Sequence, residues 1–314
     1  MTTTSTGAVA PEPEQNKNPL TQVDSSIRHA RFSDRLATGA LYVISGSFVL
    51  LLIAMLSYIL YNGIEAYSGT IFSFTDEGIG NQFFNTIYLV VISLLVSVPL
   101  GIATGVYMSE YAAPGRTTDL LQMALETLSS LPSVVVGLFG YLAFVVYVGT
   151  QWNLFSGALA VSILSIPLII TTTYNALQAL PKGYREGSLA LAATPWETIV
   201  HVLLPACVQP IITGIMLAAG RGFGEAAALL YTAGMSTDIN WNVWNLASPV
   251  CPLNPFRPGE TLSLAVWASR TEGTTANASD VAAAASAVLI CLVLFFSIMS
   301  RWLGRAISRK IEGE

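Results

Sequence analysis

Residues 184–206, YREGSLALAATPWETIVHVLLPA, lie between two long apolar runs and read as a helix, a break and a second helix. Thr194, Pro195 and Glu197 match a capping box, with Thr at the cap, Pro at the first helical position and Glu at the third. Pro195 also disfavours helical geometry for Thr194, so one helix stops and another starts there. Pro181 fits the first turn of the leading helix, where a missing N–H costs nothing, and KGYREGSLALA continues it for about three turns. Pro205 marks the entry to the next apolar run.

The surroundings of this stretch place it in a membrane protein. The 314 residues are 53% hydrophobic and 11% charged, too apolar for a water-soluble domain of this length. Six stretches are long enough to cross about 30 Å of hydrocarbon at about 1.5 Å per residue: 37–61, 85–107, 127–148, 154–174, 204–224 and 281–302. Eleven of the 14 Lys and Arg collect in connectors on one side, among them Arg35, Arg116, Lys182, Arg185, Arg301 and Arg305. The positive-inside rule therefore expects both termini and the 184–206 stretch in the cytoplasm. Opposite them lie 62–84, the tight turn GTQWN at 149–153, and a long polar loop at 235–280 able to fold over the outer mouth. Tyr61, Tyr107, Tyr147, Trp152 and Trp302 at span ends suit the interfacial belt.

These boundaries give a disordered cytoplasmic tail at 1–36, a first span and outer loop at 37–84, a membrane domain at 85–303 and a cytoplasmic tail at 304–314. The first twenty residues lack the apolar core of a secretory signal. The three cysteines indicate no disulfide framework, and no nucleic-acid footprint is evident.

A short cytoplasmic helix pair carrying small residues at Gly187, Ser188 and Ala190 is suited to lie in a groove of another protein. The blander reading is an amphipathic elbow resting on lipid headgroups. The stretch resembles the cytoplasmic motif of ABC importer permeases, E-A-A-x-x-x-G followed nine residues later by I-x-L-P. Glu186 takes the Glu position, Val202 the Ile position, and Leu204-Pro205 the Leu-Pro. Gly187 and Ser188 replace the two Ala, and Ala192 replaces the Gly that allows the bend, so Thr194-Pro195 is expected to make the break instead. The resemblance implies that Arg185, Glu186, Gly187, Ser188, Ala192, Leu204 and Pro205 form the coupling segment, at 181–204, onto a separate ATP-hydrolysing subunit. The chain itself has no Gly-Lys pair for a G-x-x-x-x-G-K-[ST] phosphate loop. No cofactor is expected on it, with ATP and Mg on the partner, and it is expected to be a transport subunit rather than an enzyme.

Arg221 lies inside an apolar run with Glu225 four residues on, where a helix would put both on one face to neutralise each other. Intramembrane charges cost about 2.5–3.5 kcal/mol each on insertion scales and by default face a cavity or a partner. Guanidinium presents a planar fork matched to phosphate or carboxylate oxygens. The alternative is a structural ion pair at a helix contact. Leu204 to Tyr231 is also too long for one straight span, and Gly220, Gly222 and Gly224 mark where it bends or unwinds. Ser130 and Ser133 flank Pro132 and offer hydroxyls to an anion, although serines in membrane helices more often bond to backbone.

TGIMLAAGRGFGEAAALLYTAG (213–234) and LSSLPSVVVGLFGY (128–141), with the coupling stretch, resemble phosphate-specific ABC importer permeases of the PstA type from about residue 80 onward. That family usually reads G-E-T-A where this chain has Gly224-Glu225-Ala226-Ala227, so a hydroxyl beside the acid is missing. The resemblance implies an all-α, six-span type I importer permease whose substrate path includes Arg221, Glu225, Ser130 and Ser133. It also implies a second related permease chain of the PstC type, two ATPase copies and an extracytoplasmic phosphate-binding protein, with phosphate as cargo and lipid around the spans. A permease for another oxyanion, such as sulfate or molybdate, is the nearest alternative, since Arg–oxyanion chemistry barely separates them. An ATP-independent secondary transporter is the other, and the ordered pair at 181–205 stands against it.

Overall fold

The computed structural model describes residues 19–67, 71–75, 78–113, 115–273 and 277–312, and among these there are helices and turns but no strand. Helix α1 (Pro19–Glu65) is followed by α2 (Gly80–Val106), which runs on as a π-helical turn Tyr107–Tyr111. Next come α3 (Arg116–Ser130), α4 (Ser133–Gly140) with a π-helical extension Tyr141–Tyr147, and α5 (Leu154–Gln178). The short pair read from the sequence is α6 (Lys182–Ala190) and α7 (Pro195–Thr198), the latter leading through a π-helical turn into α8 (Leu204–Ala206). The chain closes with α9 (Val208–Gly224), α10 (Ala227–Thr232), α11 (Leu262–Thr271) and α12 (Ala278–Glu312).

Contacts divide the chain into residues 1–57 and 58–314. In the first unit α1 is helical from Pro19, so residues 19–36, expected within a disordered tail, are ordered; residues 1–18 lie outside those described. Its apolar side chains, such as Leu41, Phe48 and Ile53, are exposed, as a helix facing lipid requires.

Among the described residues four helical segments are long and apolar enough to span a membrane: Ser33–Glu65, Gly80–Tyr111, Leu154–Gln178 and Ala278–Trp302. The two remaining apolar runs are bent pairs, by 97° between 118–130 and 133–147 and by 71° between 195–206 and 208–224. Six crossings result if each bent pair crosses once. Proline explains both breaks. Pro132 pushes Leu131 into extended geometry (ψ 134°), which ends α3. Pro210 has no N–H and its ring crowds the Ala206 carbonyl, so α9 cannot continue α8.

The second unit is built on the pairing of α2 with α5. Ser93, Ser97, Gly101 and Gly105 recur every four residues along one face of α2. A Cβ on Gly101 would lie 2.6 Å from Ile169, and one on Gly105 2.7 Å from Thr173, so the two backbones approach as closely as small residues permit. Ser162 Oγ donates to Ser93 O (3.0 Å) across the same seam. Towards one end Leu89, Leu154, Val161 and Leu229 pack together; towards the other, Leu177, Ile199, Leu203 and Ile211 do. Helix α9 lies against α12, with Phe223 edge-on to Phe296.

The polar loop expected at 235–280 contains α11, and its irregular part docks on the first turns of α2. Asn81 Nδ2 donates to Thr237 O (2.9 Å), Trp241 Nε1 to Asn81 Oδ1 (3.1 Å), and Gln82 Nε2 to Glu260 Oε2 (3.0 Å). Arg257, 1% exposed, donates to Asn85 Oδ1 (2.5 Å) and to the carbonyls of Pro252 and Pro258. Burial lowers its guanidinium to about 10, which leaves it charged at neutral pH.

Candidate functional site

The 184–206 stretch folds as a helix, a left-handed turn and a second helix. Pro181 precedes α6 with extended geometry (ψ 139°) instead of occupying its first turn, because its carbonyl accepts the opening bond from Tyr184 N (3.1 Å). Helix α6 stops at Ala190, short of the expected three turns. Ala192 adopts φ 62°, and the Ala192 and Ala193 amides bond back to Leu189 O and Ser188 O. The break is thus made at the residue expected to have lost that ability, at a cost of about 1–2 kcal/mol for a side chain in left-handed geometry. Thr194-Pro195 instead starts α7. Thr194 Oγ1 accepts from Glu197 N (3.3 Å) while Glu197 Oε2 accepts from Thr194 N (2.8 Å), the capping box read from the sequence.

The outer side of this pair is open. Glu186 and Gly187 are exposed, and a Cβ on Gly187 would meet nothing within 4 Å. Tyr184, Leu189, Leu191 and Trp196 are also exposed, Leu191 to 86%. Exposed apolar groups clustered beside small residues suit contact with another protein or with a membrane surface. Ser188 turns inward and shares a hydrogen bond with Thr198 Oγ1 (2.9 Å), holding the two helices together. Leu204 and Pro205 are half-buried, Leu204 against the Ile199–Leu203 cluster, so they seat α8 rather than present a surface.

Arg185 also faces inward. Its Nε donates to Glu110 Oε2 (2.9 Å), its Nη2 to Glu110 Oε1 (2.6 Å) and to Leu177 O (2.9 Å). Glu110 lies in the π-helical turn that ends α2, and Leu177 in the last turn of α5. One guanidinium therefore ties the α6–α7 pair to both central helices, by a bidentate fork to the end of α2 and a single bond to α5.

The Arg221 region departs from the expected shared face. Helix α9 ends at Gly224 and Glu225 is extended (ψ 121°); among the described residues no ion pair joins Arg221 to Glu225. Glu225, 8% exposed, is used locally, its Oε1 accepting from Ala228 N (3.1 Å) in the first turn of α10. That bond competes with helix continuation, as carboxylates at helix starts do. The unwinding expected at Gly220, Gly222 and Gly224 falls just beyond them, at Glu225 and Ala226, and all three glycines are helical. Arg221 is exposed, and its hydrogen bond is from Nη1 to Leu164 O (3.4 Å). Ser130 is exposed at the end of α3 and donates to Thr127 O (2.8 Å). Ser133, half-buried, opens α4 beyond the 97° bend. No hydrogen bond links either serine to Arg221.

A family model described as the inner membrane component of binding-protein-dependent transport systems matches residues 97–313. The chain belongs to this family. The permease is 40% identical over 288 residues to the probable ABC transporter permease protein YqgI of Bacillus subtilis, across 90% of this chain and 98% of the relative. It is 34% identical over 193 residues to the phosphate transport system permease protein PstA of Xylella fastidiosa, across 60% of this chain and 67% of that one. Its fold matches, with a TM-score of 0.60 at 17% identity, the crystal structure of a bacterial alginate ABC transporter in complex with alginate pentasaccharide-bound periplasmic protein, across 91% and 97% of the two chains. The permease is accordingly a multi-pass membrane subunit of an ABC importer, and such subunits are not themselves enzymes.

Glu110, absent from the sequence-based site, joins Leu177 O in attaching the α6–α7 pair of the permease inward. Its signal was a lone carboxylate in YMSEY, at the margin of an apolar run, with Arg185 as a basic partner.

Proposed function

We propose that this permease forms half of an anion path that imports inorganic phosphate, and pairs with a second related permease chain of the PstC type. Helices α6 and α7 dock on one copy of a dimeric ATPase, which holds ATP and Mg, and an extracytoplasmic phosphate-binding protein delivers the ion. Both termini and the coupling pair lie in the cytoplasm, as the distribution of Lys and Arg supports. The observation that carries the reading is Arg221: a guanidinium exposed at the end of an apolar helix, with no carboxylate paired to it among the described residues, awaits an anion or the facing half of the path. Kinship with phosphate permeases supports phosphate as that anion.

ATP-driven closure of the partner pulls on α6 and α7. Arg185 passes the displacement to α2 through Glu110 and to α5 through Leu177. The broken span at α9–α10 then opens Arg221 alternately to either side.

The test is uptake of radiolabelled phosphate by vesicles holding the permease with its candidate partners. ATP-dependent uptake that resists excess sulfate and disappears in Arg221→Ala, with the complex still assembled, is the expected result. Sulfate-sensitive uptake moves the reading to a broader oxyanion permease, and normal uptake by Arg221→Ala removes its role.

A further inference from the structure

A second basic site lies away from the Arg221 region. A cleft of about 200 Å³ opens between α9 and α12, and its polar wall is formed by Gln209, Thr213, Ser297, Ser300, Arg301 and Arg305. The apolar window of α12 ends at Trp302, which is 70% exposed, so the cleft sits where the span meets water. Helix α9 begins directly after the coupling pair, which puts this end on the cytoplasmic side in the proposed orientation.

The chemistry of the lining changes with depth. Ile212, Met216 and Leu217 on α9 supply the apolar part, deeper along the helix than Gln209. At the mouth, Arg301 and Arg305 are four residues apart and share one face of α12. The Thr213 and Ser300 hydroxyls are spent on their own helices, donating to Gln209 O (2.9 Å) and Ser297 O (2.8 Å). Among the described residues no acid lines the cleft and neither arginine forms an ion pair. Two like charges a turn apart repel, and an anion bound between them offsets that repulsion.

We propose that this cleft binds a phosphate oxyanion at the membrane boundary, carried by an anionic phospholipid whose chains lie on Ile212, Met216 and Leu217. The apolar depth favours a lipid over free phosphate, which presents the same oxygens without a tail. Basic pockets between spans on the cytoplasmic side suit anionic headgroups. The inference is independent of the transported ion.

The assembled complex, purified in detergent, is titrated with phosphatidylglycerol, phosphatidylcholine and inorganic phosphate while bound molecules are counted by native mass spectrometry. Phosphatidylglycerol is expected to bind in preference to phosphatidylcholine, and Arg301→Gln or Arg305→Gln to weaken it roughly fivefold each, equivalent to about 1 kcal/mol per basic residue. Arg116→Gln, an exposed cytoplasmic arginine outside the cleft, is the control and leaves binding unchanged. Inorganic phosphate binding that the same two substitutions weaken supports the oxyanion site and assigns it to the free ion. Absence of binding by either probe overturns the site. So does binding that the cleft substitutions leave intact, or that Arg116→Gln reduces equally.

Discussion

Ala192 shows how one methyl group can set a local cost. Its φ of 62° is left-handed geometry, open to Gly without penalty, and the turn between α6 and α7 requires it. Ala192→Gly is therefore expected to stabilise the purified permease by about 1 kcal/mol, the relief of left-handed strain less the entropy that Gly adds to the unfolded chain. Thermal unfolding of the complex measures this, and a lowered midpoint would mean that the turn is strained for another reason. The capping box was legible because Thr194 and Glu197 settle it between themselves. The fate of Ala192 was not, because its geometry follows from the direction the chain must take into α7. Arg221 was legible for the same kind of reason as the capping box: it is the lone base in its apolar run. Its relation to Glu225 was hidden, since the end of α9 depends on a carboxylate choosing the Ala228 amide over the guanidinium.

Among elements, the attachment of α6 to α2 carries the sharpest expectation. Glu110→Gln removes the charge and one acceptor of the bidentate fork, a loss of about 2 kcal/mol for charge-assisted bonds. ATP hydrolysis by the complex should continue while uptake of the proposed phosphate cargo falls, because the proposed docking face of α6 is untouched. The exchanged pair Arg185→Glu with Glu110→Arg should recover part of the uptake; failure of both results would show that the link is only structural. The loop docked on α2 gives an expectation in pH. Burial raises the Glu260 carboxyl above its ordinary value, with Glu272 adding to the rise and Gln82 opposing it. The docked loop thus holds that proton more tightly than the undocked loop, and docking weakens as pH rises through the folded value. Protease protection of the 233–261 segment should decline in that direction, and Glu260→Gln should flatten the profile. Neither element was readable from hydropathy, which finds apolar runs but not which polar ends of different helices meet.

For the whole molecule, hydropathy located six apolar runs, and two of them are bent because Pro132 and Pro210 interrupt helices; the excess length of 204–231 announced a bend but not its place. What holds the second unit together is also hidden from a hydrophobicity count. Lipid tails are as apolar as leucine, so burying more apolar area does not drive spans together, and close backbone approach supplies the attraction instead. The four-residue repeat Ser93, Ser97, Gly101, Gly105 is that device in α2. Sign therefore separates two classes of glycine. Gly46, with nothing within 4 Å of an added Cβ, should accept Ala and gain helix propensity of up to about 1 kcal/mol. Gly101→Ala places its Cβ 2.6 Å from Ile169 and should instead lose about 1–3 kcal/mol by overpacking. Thermal midpoints of the two purified variants decide the matter: opposite shifts place the organising contact at the α2–α5 seam, and equal shifts remove it.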